Sequence, residues 1–235
     1  MEDTQIEENV FISAKNLPDP SRQFLLKILS KQGDIEYGMY NLHLVWQSKA
    51  ESSEARWRMA RIVSAEIRHG LQVTRFLRDF GEEGEGIADE LFKRKLGEHE
   101  FEIFNKPFED WVDVCAFSCF VPLVDVYQLK MLQKAKYAPL RRAMPLIINE
   151  ESLHPAFGIN GLRRALDTNP EQQANVEKRI REWIEKAKMI FGYGLPESEL
   201  DAPEELGIPK WDRQQFETYY QENVSQILEK IGLKI

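Results

Sequence analysis

Glu66-Ile-Arg-His69 and Glu151-Ser-Leu-His154 decide how this chain reads: the same Glu-x-x-His spacing occurs twice, each time inside an apolar run of helical period. Residues i and i+3 project from one face of an α-helix, so each copy aims a carboxylate and an imidazole at one point. Each copy is preceded by a segment with a lone carboxylate on its apolar side, Glu36 lying 30 residues before Glu66 and Asp125 lying 26 residues before Glu151. One carboxylate from each of two helices, plus Glu-x-x-His from each of two others, is the ligand inventory of a four-helix di-iron or di-manganese site. The candidate metal ligands are therefore Glu36, Glu66, His69, Asp125, Glu151 and His154, and the four carboxylates are also the candidate catalytic groups.

Steps of four and three residues trace the stripes that carry these groups. The first holds Leu25, Leu29, Gln32, Glu36, Met39, His43 and Trp46, and the second runs from Ala55 through Glu66 and His69 to Phe80. The third holds Val114, Ser118, Val121, Asp125, Gln128 and Leu132, and the fourth runs from Leu140 through Glu151 and His154 to Gly161. Each carries its charge in the middle and is apolar or uncharged at both ends. A buried carboxylate without compensation costs several kcal/mol or takes up a proton. Two divalent cations would offset the four formal negative charges, and imidazole with carboxylate suits iron or manganese better than thiolate-preferring metals. Cys115 and Cys119, four apart in an apolar run, read as reduced core residues.

With 235 residues, 43% hydrophobic and 30% charged, the chain is long enough for one large globular domain. We expect an N-terminal extension over 1–20 and a single domain over 21–235, with the metal-binding bundle at about 21–166 and a helical extension at about 170–235. The acidic start has neither a signal-peptide nor an anchor pattern, and no uninterrupted apolar segment approaches the ~20 residues of a membrane span. Two cysteines and no export signal suggest a reducing cytoplasm. A net charge of −8 speaks against nucleic acid as partner.

Local signals place helices from Asp19-Pro20-Ser21 to about Ser48, from a Ser52 or Ser53 cap to near Gly81, from about Trp111 to Lys134, and from about Leu140 to Leu166. Pro155 removes the donor that would bond the Glu151 carbonyl, so the fourth helix should bend at the site. Gly81 to Gly86 reads as a turn before a shorter helix over Ile87 to Phe104. Asn169-Pro170 reads as a cap opening a fifth long helix to about Phe191. Gly192 to Pro209 reads as an irregular surface segment, and Trp211 to Ile231 as a final helix. Strand signals are nearly absent. The expected class is all-α: a ferritin-like four-helix bundle with additional C-terminal helices.

The chain also resembles a known family. Tyr137-Ala-Pro-Leu-Arg-Arg-Ala-Met, Asn149-Glu-Glu-Ser-Leu-His154, Thr168-Asn-Pro-Glu-Gln, Met189-Ile-Phe-Gly192 and Lys230-Ile-Gly-Leu-Lys-Ile are similar to the catalytic subunits of phenylacetyl-CoA epoxidase, of phenylacetic acid catabolism. The likeness covers roughly 21–235. It implies a ferritin-like di-iron enzyme that activates O2 and inserts one oxygen atom into an aromatic ring held as a coenzyme A thioester. It also implies electrons from a flavin and iron–sulfur reductase and a related, metal-free sister subunit. The family's ligands fall on Glu36, Glu66, His69, Glu151 and His154, with Asp125 as the third-helix carboxylate, one turn nearer Tyr137 than the family pattern.

We therefore expect two iron ions, with manganese the alternative, in an oxygenase that epoxidises or otherwise oxidises an aryl- or acyl-CoA. A homo-oligomer or a sister subunit would accompany it. Two other readings use the same residues: a ferroxidase or metal-binding protein, and a non-catalytic scaffold subunit. His43, two turns beyond Glu36, is either a further group at the site or a hydrogen-bonded core histidine. Tyr37 and Tyr40 read as packing groups rather than redox groups. Arg141, Arg142, Arg163 and Arg164 could meet coenzyme A phosphates or simply face water. His99 and Asp113 read as structural.

Overall fold

The computed structural model describes residues 10–168, 171 and 173–234. Helix α1 (Asp19–Gln47) opens with proline in its first turn, where a missing N–H costs nothing. The short link after it turns the chain back into α2 (Ser53–Arg78), whose Ser52 hydroxyl accepts the Ala55 N–H at 3.1 Å and so caps the helix as its sequence suggested. The two helices pack along each other. α4 (Trp111–Leu132) is capped by Asp110, which accepts from Asp113 N at 2.7 Å. It is enclosed by α5 (Ala138–Glu151), α6 (His154–Thr168), α7 (Gln173–Ala187) and α8 (Arg213–Ile231). No strand occurs among the described residues beyond one isolated bridge between Phe11 and Tyr137. The fold is all-α, consistent with the ferritin-like bundle expected.

Four boundaries differ from the sequence reading. The fourth helix ends at Glu151 and restarts at His154, so the expected bend is a break into α5 and α6. Ser152 N still bonds Ile148 O at 3.0 Å, but Leu153 N reaches only back to Glu150 O, and Pro155 has no N–H with which to continue. α3 (Glu82–Lys93) starts at the segment taken for a turn and stops well before Phe104. Gly81, at φ 75°, makes the turn alone, and Glu82, Glu83 and Glu85 then favour the helix N-terminus electrostatically. α7 is shorter than expected, passing into a 3₁₀ segment at Lys188, and its suggested Asn169-Pro170 cap lies outside the described residues. The segment from Gly192 to Pro209 is not all surface, for Tyr193 and Leu206 are fully buried.

α4 has the length and composition of a membrane span, contrary to the sequence reading, but 94% of its most apolar stretch is buried inside the protein. It is the core helix. The close approach of α6 to α4 depends on Gly158: a Cβ there would stand 2.3 Å from Cys115 O and 2.6 Å from Cys119 Sγ, both cysteines being buried free thiols. Gly158→Val is expected to lower stability by about 1–3 kcal/mol through forced separation of the helices. Urea unfolding checks this, as a lower midpoint at unchanged slope.

Candidate metal centre

Helical register carries six charged or ionisable side chains to one level of the interior: Glu36 from α1, Glu66 and His69 from α2, Asp125 from α4, Glu151 from the end of α5 and His154 from the start of α6. All six are buried. Atoms of Glu36, Glu66, His69 and Glu151 lie within 4.8 Å of one another. Glu151 sits centrally. Its Oε1 is 3.0 Å from His69 Nδ1 and its Oε2 is 3.0 Å from His154 Nδ1, so one oxygen faces each histidine. Glu36 Oε2 lies 3.4 Å from His69 Nδ1, and Glu66 Oε1 lies 3.5 Å from His154 Nδ1. The arrangement has two halves, each with a histidine and a carboxylate, and Glu151 spans them.

These approaches are close but not aligned as hydrogen bonds. Glu36 Oε2, both oxygens of Glu66 and of Glu151, Asp125 Oδ2, and Nδ1 of His69 and His154 are buried without a hydrogen-bond partner. Buried polar atoms are paired in the great majority of cases. So many lone pairs converging on one volume fit divalent cations bound by oxygen and imidazole nitrogen.

The surroundings fix the ligands. Gln32 donates from its amide nitrogen to Glu36 Oε1 at 2.8 Å and to Asp125 Oδ1 at 2.9 Å. Its amide oxygen accepts from the Tyr193 hydroxyl at 3.1 Å, which sets the amide orientation. Tyr193 stands between Gly192 and Gly194 in a left-handed backbone (φ 57°), unusual for a residue with a side chain. Its N–H donates to Gln128 Oε1 at 3.1 Å. On the other side His69 Nε2 lies 2.8 Å from Glu150 Oε2, and Glu150 is also held by Arg68. A carboxylate behind a histidine ligand fixes its ring and directs its other nitrogen at the metal.

His43 combines the two roles the sequence left open. Its Nε2 is 3.2 Å from Ser118 Oγ, and that hydroxyl already donates to Val114 O at 2.9 Å. The imidazole must therefore donate to the serine, which leaves an Nδ1 lone pair 3.6 Å from Glu66 Oε1. Two acceptors face each other there unless a cation or proton lies between them. Of the residues read as structural, His99 Nδ1 is 3.0 Å from Asp34 Oδ1, and Asp113 accepts from Trp183 and from Glu109 N. Tyr37 is buried against Gly70.

Sequence reasoning missed Tyr193, Glu150 and the clamp role of Gln32. Gln32 and Gln128 stand on the ligand stripes, so their position was a usable signal. The glycines flanking Tyr193 were the only hint of its geometry.

The charges are strongly perturbed. Burial, with repulsion from Glu151 and Glu36, pushes Glu66 well above the ordinary carboxylate range, and burial with Glu36 and Glu151 does the same to Asp125. Burial opposes charge on His69, but Glu151 and Glu36 outweigh it and push its pKa up to about 12. Burial, helped by His154, lowers His43 to about 3 and keeps it neutral.

Fold and cluster define a class: an all-α protein with a buried carboxylate–histidine site that could hold metal. The chain belongs to the phenylacetic acid catabolic protein family, whose model matches residues 9–235. It is similar to benzoyl-CoA oxygenase component B of Aromatoleum evansii, with 25% identity over 175 residues, covering 67% of this chain and 34% of that protein. It is also similar to one of the subunits of the 1,2-phenylacetyl-CoA epoxidase of Escherichia coli, with 23% identity over 176 residues, covering 75% of this chain and 56% of that one. The chain thus spans about a third and just over half of the lengths of these relatives.

A raised folded-state pKa gives stability that is complete below the unfolded value and is lost as pH rises towards the folded one. For His69 that loss starts near its ordinary value of about 6.5, and Glu66 and Asp125 act in the same direction from lower pH. Metal-free protein should therefore lose thermal stability between about pH 6.5 and 9. Scanning calorimetry checks this, and an increase in Tm over that interval would contradict it.

Proposed function

We propose that the chain is the metal-bearing component of a di-iron oxygenase that oxidises an aryl- or acyl-CoA thioester, epoxidation being the favoured outcome. The observation that carries the reading is the set of buried lone pairs on Glu36, Glu66, His69, Asp125, Glu151 and His154, met by no protein donor. The names of the similar proteins support the substrate class and a multi-component system. Two M2+ ions would balance four carboxylates, and neutral imidazoles complete the set. Manganese is the alternative metal. A bound iron pair would supply the reduction of O2: one oxygen atom enters the substrate and the other leaves as water, with two electrons and two protons from an external flavin and iron–sulfur reductase.

The chain's own part is positioning and exclusion. Glu36 and Asp125 are tied together through Gln32, with one oxygen of each left free. Glu150 orients His69, and Glu151 presents one oxygen to each half. Phe117 packs edge-on against His43 at 5.1 Å and against Phe108 and Trp183 at 5.0 Å each, an aromatic wall that keeps the His43 side dry. The domain boundaries (1–20 extension, 21–235 metal-binding domain), a sister subunit or homo-oligomer, and a cytoplasmic location belong to the same reading. The full ligand set favours it over a scaffold role.

Glu66→Ala and Glu151→Ala are each expected to abolish metal binding and turnover, whereas Glu54→Ala on the exposed face of α2 should not. Metal analysis with the optical spectrum of the oxidised protein reads the first effect. Reductase-dependent O2 consumption over a panel of CoA esters reads the second. Two irons per chain in either ligand variant, or no metal in the parent protein, would overturn the proposal. Ferroxidase activity with no ester-dependent O2 consumption would favour the metal-storage alternative.

A further inference from the structure

We infer that His43 is a seventh metal ligand, its Nδ1 completing the half of the site formed by Glu66 and His154. The inference rests on the metal-bearing part of the proposed function and adds a residue that lies outside both the doubled Glu-x-x-His spacing and the family's ligand positions. Glu36 and His43 stand two turns apart on one face of α1, so a single helix serves both halves. Glu36 meets His69 at 3.4 Å, and His43 meets Glu66 at 3.6 Å. His43 is fully buried, and its Nδ1 has no hydrogen-bond partner. The ring is held in place from its other side. Nε2 donates to Ser118 Oγ, and the rings of Phe117 and Phe108 lie 5.1 and 6.1 Å from the imidazole.

The separations decide between a hydrogen bond and a shared ion. A hydrogen bond from nitrogen to oxygen spans about 2.7–3.2 Å. Two donor atoms that each lie about 2.0–2.2 Å from one divalent ion, at angles of about 90–120°, stand about 2.8–3.8 Å apart. His43 Nδ1 is 3.6 Å from Glu66 Oε1, His154 Nδ1 is 3.5 Å from the same oxygen, and His154 Nδ1 is 3.0 Å from Glu151 Oε2. All three fall in the second range, and the two longer ones lie outside the first. None of the four atoms has a hydrogen-bond partner. Two imidazole nitrogens and two carboxylate oxygens thus converge on this half. The other half offers one imidazole, His69, with free oxygens of Glu36, Asp125 and Glu151. Imidazole favours iron and carboxylate favours manganese, so the His43 half is the more selective for iron.

Titration of the metal-free full chain with Co2+, followed by absorption and proton NMR, tests this. Co2+ is paramagnetic, so the ring N–H of each histidine bound to it moves far outside the ordinary proton range. The parent should bind two Co2+ ions and show three such signals, from His43, His69 and His154, with the His43 signal slow to exchange because it is enclosed with Ser118. In His43→Gln an amide nitrogen falls where Nε2 lies and keeps the bond to Ser118, while the Nδ1 lone pair is lost. That variant should show two shifted signals and bind one of the two ions tenfold or more weakly, the other as before. Only two shifted signals in the parent, or two ions held as tightly by His43→Gln as by the parent, would make His43 a core histidine and overturn the inference, leaving the oxygenase reading intact. A parent that binds no Co2+ would overturn the metal reading and this inference together.

Discussion

Four carboxylates at 0% exposure, three of them with ligand atoms within 4.8 Å of one another and the fourth, Asp125, joined to Glu36 through Gln32, are the constraint around which this molecule is built. Moving a single carboxylate from water into a low-dielectric interior costs several kcal/mol even after relaxation, and like charges at this range add to that cost. A protein that needed only a core would fill these positions with leucine. Without metal, burial and mutual repulsion drive Glu66 and Asp125 towards the protonated form while the neighbouring carboxylates drive His69 towards the imidazolium, each against its ordinary preference. Cations remove the conflict. They favour the ionised carboxylates and the neutral imidazoles together, and binding then releases the protons that stood in for them.

The rest of the fold serves to keep those positions rigid and dry. α1 and α2 bring Glu36, Glu66 and His69 together by packing along each other. α4, apolar through most of its length, carries Asp125 into the centre and has room for α6 only because Gly158 and Gly161 lie against Cys115 and Cys119. Tyr193 comes from outside the five ligand-bearing helices and is flanked by two left-handed glycines. A non-glycine residue held in that backbone costs about 1–3 kcal/mol, which the buried hydrogen bonds to Gln32 and Gln128 help to offset.

Much of this was legible in the sequence because helical period is rigid. Once Glu66 and His69 lie on one helix, their common direction follows, and the same argument placed Glu36 and Asp125. Pro155 signalled a bend, but a bend and a full break differ by whether the next N–H groups find partners, which depends on packing around Leu153. Glu150 and Glu151 are adjacent and chemically alike. The stripe chose Glu151 for the interior, yet nothing local showed that Glu150 would reach His69 from the rim. Tyr193 was beyond reach, since its burial follows from how the chain folds back after α7. The acidic run after Gly81 misled because glycines were read as punctuation throughout, although glutamates suit a helix's first turn.

The two halves of the site are not equivalent, and the difference has a direction. Glu36 and Asp125 are each fixed by Gln32, so the α1–α4 side is tied down on one oxygen apiece. Glu66 has no hydrogen bond to either oxygen, and it faces His154 and the spare nitrogen of His43. A carboxylate that must bridge, chelate or shift as its metal changes coordination needs uncommitted lone pairs, whereas one that only anchors is better clamped. Clamped ligands lie beneath Tyr193 on the deep side, while the free carboxylate lies beside His154, which lines a surface groove. Rigidity on the Tyr193 side and uncommitted lone pairs beside His154 is a distribution that would suit a metal centre whose ligands shift on one side only.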